Sequence, residues 1–381
     1  MKYESGQPPY HLFPMSLTDA DLLSALRTVK DPDLGKDLVT LDMVRGARMH
    51  GERAVVDIEL TTPACPMKDA IRADIERAVA ERARSIGAKP PAVEVRFSAR
   101  VRAAARPAQG GGNPLPRVKH VIAVGAGKGG VGKSTISVNL AIGLARMGAR
   151  VGLLDGDIYG PSAPTMLGLD ELQGSVRGDL LVPFSVHGIE AITIGKLVDP
   201  DKALIWRGPM AHGAFKQLAV QTDWGDLDYL IVDLPPGTGD VPLTLAQLLP
   251  LTGAVVVCTP QRVAQDDARR AIRMFEQLQV PVLGVVENMS AFIDEHGTVH
   301  DLFGQGGAEV MASTMGLPFL GALPVHVELR RNCDAGTPLN NWSGSATLAS
   351  ALDGICRRVA SQVSIESHRS SLVQPTLSVK D

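Results

Sequence analysis

The sequence has few cysteines, and their spacing indicates no disulfide framework. The 381 residues include four cysteines, and none of them belongs to a Cys-x-x-Cys pair. Small secreted domains that depend on disulfides carry a denser, paired set of cysteines. The cysteine content is therefore typical of a protein from a reducing compartment, and we expect a cytoplasmic location.

Long apolar runs and an excess of charge of one sign are also missing. The formal net charge is −3 at pH 7, so the chain lacks the strongly positive surface that binds nucleic acids or anionic membranes. No apolar run reaches the roughly 20 residues that a helix needs to span a bilayer. Residues 1–16 contain no basic segment followed by an apolar one, which predicts that there is no signal peptide. We therefore expect neither a nucleic acid nor a membrane partner.

Length and composition permit more than one folded domain. Hydrophobic residues make up 45% of the chain, which is enough for a large core. A stretch of alanine, glycine and proline from Ala103 to Pro116 has the composition of a linker. The predicted parts are a flexible lead over 1–15, a small α+β domain over 16–102, a linker over 103–117, a larger domain over 118–362 and a disordered tail over 363–381.

One glycine-rich stretch carries the strongest chemical signal in the chain. Gly125-Ala-Gly-Lys-Gly-Gly-Val-Gly-Lys-Ser-Thr135 follows the apolar strand Val121–Val124 and opens a segment with helical spacing of its apolar residues. Its second half fits Gly-x4-Gly-Lys-Ser, the phosphate-binding loop, in the expected order of strand, loop and helix. Glycines let backbone N–H groups turn toward a phosphate, and the helix N-terminus adds its dipole. The stretch therefore predicts a site for ATP and Mg2+.

Each residue of this loop has a predicted role. Lys133 is expected to contact the β- and γ-phosphates, Ser134 to ligate Mg2+, and Thr135 to donate to the α-phosphate. The other predicted nucleotide contacts are Gly127, Gly129, Gly130, Val131 and Gly132.

Three later motifs lie at the ends of further apolar strands. Asp155 and Asp157 follow Val151–Leu154, and Asp233 ends the run Asp228-Tyr-Leu-Ile-Val-Asp233. Carboxylates at strand ends suit a Mg2+ shell or a bound water, so Asp155 and Asp233 are predicted at the metal. Asn288 closes another strand, and its amide offers the donor and acceptor that the adenine edge requires. Apolar strands alternating with helices predict a mostly parallel sheet covered by helices on both faces, with these motifs beyond its C-terminal edge.

A second loop lysine, Lys128, makes the loop resemble the deviant Walker A motif of the MinD, ParA, nitrogenase iron protein and Mrp ATPases. Further stretches resemble the Mrp/ApbC branch, the ATP-dependent iron-sulfur cluster carriers; they are Trp206–Met210, Trp224–Val241, Thr259–Gln261 and Val285–Ser290. The resemblance implies a homodimeric ATPase in which Lys128 reaches the partner's nucleotide and Asp157 positions the hydrolytic water. It further implies that Asn288 reads adenine beside Pro324, and that apo iron-sulfur proteins or assembly factors are the partners.

The first domain resembles the small iron-sulfur assembly domain that is often fused in front of Mrp proteins. The matching stretches are Asp31-Pro-Asp33, Leu41–Val44 and Thr61–Pro66. Cys65 lies where a strand gives way to a helix, so the helix N-terminus is expected to lower the pKa of its thiol. Cys65 is thus a candidate ligand for a metal or cluster, although an isolated cysteine is also compatible with an inert thiol.

The sequence departs from the Mrp/ApbC pattern at one important place. That branch usually carries a Cys-x-x-Cys pair just after Glu-Asn-Met-Ser, and no cysteine follows Ser290 here until Cys333. Asp294, His296, His300 and Asp301 stand in that region instead, and they suit a zinc or iron ion better than a sulfide-bridged cluster; a solvated loop is the alternative. Two functions therefore stay open, a cluster carrier and an ATP-switched dimeric adaptor that binds no cluster.

Overall fold

The computed structural model describes residues 16–101, 113–158, 160–196, 208–294, 296 and 298–373. The predicted lead, most of the predicted linker, Trp206 and the last residues of the tail lie outside the described residues. By its internal contacts the chain divides into two units. The first holds the residues up to Thr61 together with Cys65–Arg100, and the second holds Thr62–Ala64 and the residues from Val101 onward. The domain boundaries given above stay a prediction.

The first unit is an α+β fold with its own core. Its elements are α1 (Asp19–Leu26), β1 (Val44–His50), β2 (Arg53–Leu60), α2 (Lys68–Ser85) and β3 (Ala92–Ala99). The described strands are ordered β1-β2-β3, with β1 antiparallel and β3 parallel to β2. Leu22, Leu26, Ile58, Ile71 and Ile75 are buried between the helices and the sheet.

The first helix begins and ends at identifiable local signals. The Thr18 hydroxyl accepts from the Asp21 N–H, and the Asp21 carboxylate accepts from the Thr18 N–H, so a capping box starts α1. The helix ends at Leu26, several residues before Asp31-Pro-Asp33. Asp31 instead shapes the next turn, where its carboxylate accepts from the N–H groups of Asp33 and Leu34.

The second unit contains a longer series of strands and helices. Its strands are β4 (Val118–Gly125), β5 (Val151–Asp155), β6 (Ser175–Arg177), β7 (Leu180–Val182), β8 (Phe184–Val186), β9 (Ile189–Thr193), β10 (Leu227–Asp233), β11 (Leu251–Cys258), β12 (Val282–Ile293), β13 (Val299–His300) and β14 (Phe319–Val325). Its helices are α3 (Lys133–Arg146), α4 (Ala163–Leu167), α5 (Gly208–Val220), α6 (Asp240–Leu248), α7 (Arg262–Gln277), α8 (Gly307–Thr314), α9 (Val327–Asp334) and α10 (Ala346–Val373), with short 3-10 turns at Ile194–Lys196 and Pro338–Trp342.

The main sheet confirms the predicted parallel architecture. Within the described residues its strands follow the order β13-β12-β11-β4-β10-β5-β9-β8, and β14 also pairs with β12. Only the pairs β8–β9 and β12–β13 are antiparallel among the described strands of this sheet. Neighbouring residues of a strand enter different cores: Ile231 packs toward α3 and α10, whereas Leu230 packs toward α5 and α7. Both faces are therefore covered by helices, as a near-continuous apolar strand requires.

Strand β10 lies at the centre of this sheet and carries an aspartate near each end. In register, Asp233 stands opposite Val124 of β4 and Asp155 of β5. Toward the other end, the Asp228 carboxylate lies 2.7 Å from Lys119 Nζ and accepts from the Arg150 N–H at 2.9 Å. The alignment brings three strand ends to one place, at the C-terminal edge of the sheet.

Two parts of the second unit are longer than the sequence predicts. The tail was expected to be disordered from residue 363, but α10 continues to Val373. Val359, Ala360 and Val363 are buried in the core and anchor the helix. Because each residue added to an existing helix forms one further hydrogen bond, the helix continues into the serine-rich segment. Likewise β12 does not close at Asn288 but runs past Ser290 to Ile293 and pairs with β13.

In the described ranges, no helix combines the length and the apolar character that crossing a bilayer requires.

Candidate nucleotide-binding site

The glycine-rich loop joins β4 to α3 at the edge where the strand ends meet. Gly130 and Gly132 have φ angles of 79° and 82°, which is a left-handed conformation that glycine adopts at little cost. Gly127 serves a different purpose, because a Cβ at this position would overlap the backbone carbonyl of Asp267 in α7. The loop is therefore held between strand, helix α3 and helix α7 in a way that only these glycines permit.

The side chains of the loop lysine and the loop serine converge on Asp233. Lys133 Nζ lies 2.8 Å from Asp233 Oδ1 and 3.5 Å from Asp157 Oδ2. The Ser134 hydroxyl donates to Asp233 Oδ2 at 2.6 Å. The structure thus brings the predicted Lys133, Ser134, Asp157 and Asp233 together, although they come from three separate segments.

Asp155 is a fully buried carboxylate beside this group. Its oxygens accept from the Thr193 hydroxyl at 3.0 Å and from the N–H groups of Asp157 and Ala163, each at 3.2 Å. Burial, together with the nearby charge of Asp233, raises the pKa of Asp155 to about 7. The same carboxyl therefore supports the turn that carries Asp157 and changes its charge near neutral pH.

Asn288 contacts the phosphate-binding loop directly. Its side-chain N–H donates to the Val131 carbonyl oxygen at 2.8 Å, and a Cβ on Gly132 would overlap the same amide nitrogen. The next residue, Met289, has a φ of 56°, which is uncommon for a side chain of this size. The local bend of β12 therefore aims the Asn288 amide at the loop, a contact that motif spacing did not predict.

The remaining predicted nucleotide contacts surround these groups. Lys128 and Thr135 are half-buried, Gly129 and Gly130 are exposed, and Pro324 is half-buried in β14. Leu323, the neighbour of Pro324, stands opposite Asn288 in the pairing of β12 with β14. The Thr135 carbonyl accepts from the Asn139 side chain at 2.8 Å. Their contacts with a nucleotide stay predictions.

Ser137 is a member of the site that sequence reasoning missed. Its hydroxyl lies 2.6 Å from Asp233 Oδ1 and its side chain is completely buried. A serine one turn after the loop lysine has the appearance of an ordinary helix residue, and only the neighbouring strand shows what it contacts.

The expectation for the Cys65 thiol is wrong. Burial raises its pKa to about 11, and the carboxylates of Asp31 and Asp33 act in the same direction. The Met67 N–H and Lys68 favour the thiolate, but their effect is smaller than the cost of burying the charge. At neutral pH the free side chain is therefore a thiol.

The candidate metal ligands after Ser290 form a hairpin turn. The Asp294 carboxylate accepts from the N–H groups of His296 and Thr298 and lies 2.8 Å from His300 Nε2. The hydrogen bond from His300 holds the pKa of Asp294 below its ordinary value. Within the part of the chain that the structure describes, no group of three or more His, Cys, Asp or Glu side chains is placed to hold a metal ion.

The other cysteines are buried in the second unit. Cys258, Cys333 and Cys356 are all in the core, and burial raises the pKa of each thiol, to about 12 for Cys258 and Cys356. Cys258 lies in the apolar strand β11 and is a core thiol.

Comparison with known proteins gives the site its family context. A family model for the "NUBPL iron-transfer P-loop NTPase" matches residues 117–360, and one for an "iron-sulfur cluster assembly protein" matches residues 19–85. A protein of Deinococcus radiodurans named iron-sulfur cluster carrier protein is 48% identical over 90% of this chain and 95% of its own. A protein of the same name from Synechocystis is 46% identical over 92% of this chain and 99% of its own.

A solved structure supports the same fold. A nucleotide-binding protein from Archaeoglobus fulgidus, in complex with ADP, is 38% identical and superposes with a TM-score of 0.54 over 59% of this chain and 89% of that one. The P-loop match covers more than half of the chain, and relatives nearly half identical span about nine tenths of it. The chain therefore belongs to the family of NUBPL-type iron-transfer P-loop NTPases.

Proposed function

We propose that this protein binds ATP with Mg2+, hydrolyses the ATP, and carries iron-sulfur clusters to apo proteins or assembly factors. The observation that carries the nucleotide part is the junction of Lys133, Ser134 and Asp233, with Lys133 Nζ and Ser134 Oγ at 2.8 Å and 2.6 Å from the Asp233 carboxylate. The carrier part is supported by the relatives from Deinococcus and Synechocystis, which bear that name.

The residues present suit Mg2+ by their chemistry. Ser134, Asp155 and Asp233 offer a hydroxyl and two carboxylates, and Mg2+ prefers such hard oxygen ligands. When bound, Mg2+ supplies positive charge to the phosphate oxygens. Ser134 would hold the metal directly, and Asp233 and Asp155 would complete its surroundings.

The protein's own groups account for the remaining steps. The N–H groups of the loop, with Lys133, hold the phosphates, and Asp157 orients the attacking water from its position 3.5 Å from Lys133 Nζ. Asn288 keeps one amide hydrogen on Val131, while its oxygen is left to accept from the adenine amino group and Pro324 lies beside the ring. Lys128 contacts the nucleotide of a second copy, so the active form is a homodimer.

The cluster is a cargo, and its ligands differ from the usual arrangement. The Cys-x-x-Cys pair is missing after Ser290, and three of the four cysteines are buried in the core of the second unit, while Cys65 is half-buried. We therefore assign Cys65 as the protein ligand of the cluster. Because its free pKa is about 11, binding iron must displace a proton from the thiol.

Anaerobic reconstitution with iron and sulfide tests this function. Bound iron, bound sulfide and visible absorption per dimer are measured for the wild type, for Cys65→Ser and for the control Cys258→Ser, with ATP turnover measured alongside. We expect a cluster in the wild type and the control, a loss of the cluster in Cys65→Ser, and ATP turnover in all three. A cluster that survives in Cys65→Ser would assign its ligands elsewhere.

The adaptor alternative has a distinct outcome in the same experiment. An adaptor would dimerise with ATP and bind no cluster in any variant, and the relatives named above give it no support. The cytoplasmic location stays a prediction from the cysteine content.

A further inference from the structure

Ser137 donates a short hydrogen bond to the carboxylate at the centre of the site. Its Oγ lies 2.6 Å from Asp233 Oδ1 and 3.1 Å from the Lys133 carbonyl oxygen. A hydroxyl has one proton to donate, and a carboxylate is the stronger acceptor, which agrees with the shorter of the two distances. Ser137 therefore directs its proton to Asp233.

Two serines of helix α3 each donate to a different oxygen of the Asp233 carboxylate. Ser134 and Ser137 are three residues apart, so they lie on one face of α3. Ser134 donates to Oδ2 and Ser137 to Oδ1, both at 2.6 Å. A carboxylate that is held through both oxygens cannot rotate about its χ2 torsion without breaking one of these bonds.

Ser137 differs from the other partners of Asp233 in its burial. Its side chain is completely buried, in the body of the helix, so it cannot contact a ligand. Lys133, which shares Oδ1 with Ser137, is the group that phosphates attract. A bound nucleotide can therefore draw Lys133 away from Oδ1 but leaves the hydrogen bond from Ser137 in place.

We propose that Ser137 is a positioning residue that fixes the Asp233 carboxylate, so that Oδ2 stays on Ser134, the residue that would hold Mg2+. The inference rests on the proposed Mg2+-nucleotide site and adds a residue to it. Removing partners of this kind, which act on a metal through another side chain, typically weakens metal affinity by about 10- to 100-fold.

The test separates metal binding from nucleotide binding in the full-length protein. The affinity for a fluorescent ADP analogue is measured in EDTA and across a series of Mg2+ concentrations, for the wild type, Ser137→Ala and Ser137→Cys. Ser361→Ala is the matched control, because Ser361 is buried in α10. Thermal unfolding of each variant verifies that it is folded.

We expect Ser137→Ala to bind the ADP analogue normally in EDTA and to need about 10-fold more Mg2+ for half of the gain in affinity. Ser137→Cys, which keeps the size and a weak S–H donor, should fall between Ser137→Ala and the wild type, and Ser361→Ala should match the wild type. An unchanged Mg2+ requirement in Ser137→Ala would overturn the inference. So would an equal loss of affinity in EDTA and in Mg2+, because that pattern reports general damage to the loop. A wild type whose ADP affinity does not respond to Mg2+ would instead overturn the proposed site itself.

Discussion

The side-chain nitrogen of Asn288 lies 2.8 Å from the carbonyl oxygen of Val131, inside the phosphate-binding loop. A residue expected to contact the base thus also supports the loop that contacts the phosphates. The amide nitrogen donates to the loop, and in the proposed function the amide oxygen accepts from adenine. These two roles can be separated by substitution.

Asn288→Ala removes both the donor and the acceptor, whereas Asn288→Asp keeps an acceptor, removes the donor and adds a negative charge beside the Val131 carbonyl. We expect Asn288→Ala to bind ATP and GTP about tenfold more weakly, because the Val131 carbonyl loses its partner, and Asn288→Asp to bind both more weakly still, because that carbonyl then faces a carboxylate. Only Asn288→Ala should also lose the preference for ATP over GTP. Equilibrium binding of both nucleotides measures the affinity and the preference. The control is Ser290→Ala, because Ser290 is another buried residue of β12. An unchanged preference in Asn288→Ala would contradict the adenine role and leave the loop contact as the function of this residue.

The buried charge of Lys133 is expected to stabilise the protein even without nucleotide. Its side chain is 6% exposed and pairs with Asp233 and Asp157, so Lys133→Met leaves buried carboxylates without their cation. We expect the free energy of unfolding to fall by about 3 kcal/mol, and Asp233→Asn added to Lys133→Met to recover part of this loss. Urea unfolding in EDTA measures both effects.

Lys128 provides the contrast for the preceding prediction. It is a half-buried loop residue, and Lys128→Met should change the free energy of unfolding by no more than about 0.5 kcal/mol. Equal losses in the two lysine variants would contradict the assignment of Lys133 to a buried ion pair.

The dimeric assignment of Lys128 predicts complementation between two inactive variants. Lys128→Gln lacks the lysine in both sites of its dimer, and Asp157→Ala lacks the aspartate in both. In a mixed dimer, the site of the Lys128→Gln chain keeps its own Asp157 and receives Lys128 from the partner. An equal mixture should therefore regain roughly a quarter of the wild-type ATP turnover, since half of the dimers are mixed and each has one intact site. A mixture that stays inactive would assign Lys128 to its own chain's nucleotide.

Asp155 gives the metal-free protein a defined pH dependence. Its pKa is raised from 3.8 to about 7 in the folded state, so the folded protein holds a proton that the unfolded chain releases. The stabilisation is complete below about pH 4, falls as the pH rises, and is lost above about pH 7. The asparagine of Asp155→Asn does not titrate, so this variant does not lose stability from this position as the pH rises. Its free energy of unfolding minus that of the wild type should therefore increase between pH 4 and 7 and then level off. Urea unfolding in EDTA at several pH values tests this, and a constant difference would contradict the raised pKa.

Close packing of α7 against the loop predicts different costs for two neighbouring glycines. Gly127→Ala places a methyl group on the carbonyl of Asp267, whereas the nearest atom to a Cβ at Gly129 is 3.9 Å away, on Pro236. We expect Gly127→Ala to lower the free energy of unfolding by about 1–3 kcal/mol. Gly129→Ala should have little effect on it. Similar unfolding curves for the two variants would show that α7 yields easily.

The sequence predicts those residues of the site that are determined by motif spacing or by their position directly after a strand. Lys133 and Ser134 follow from the loop spacing, and Asp155, Asp157 and Asp233 from their places after apolar strands, because parallel strands end at one edge. Ser137 and the contact of Asn288 with Val131 depend on the register of β10 and on the bend at Met289, and neither is visible in spacing. The pKa of the Cys65 thiol is raised rather than lowered, because the helix terminus is a local signal, whereas burial depends on the tertiary fold.

The two aspartates of β10 also have a consequence for folding. Between them the strand reads Tyr-Leu-Ile-Val and is buried on both faces. A slip of one residue would exchange Leu, Ile and Val side chains for one another, so among these four residues the main specific opposition comes from Tyr229, whose buried hydroxyl donates to Thr62. Such a slip would also draw Asp233 away from Lys133, Ser134 and Ser137, and at the same time draw Asp228 away from Lys119 and Arg150. The charges at both ends therefore act with Tyr229 to select one alignment of the strand. Ion pairs about 17 Å from Asp233 along the strand thus help to place Asp233 against the phosphate-binding loop during folding.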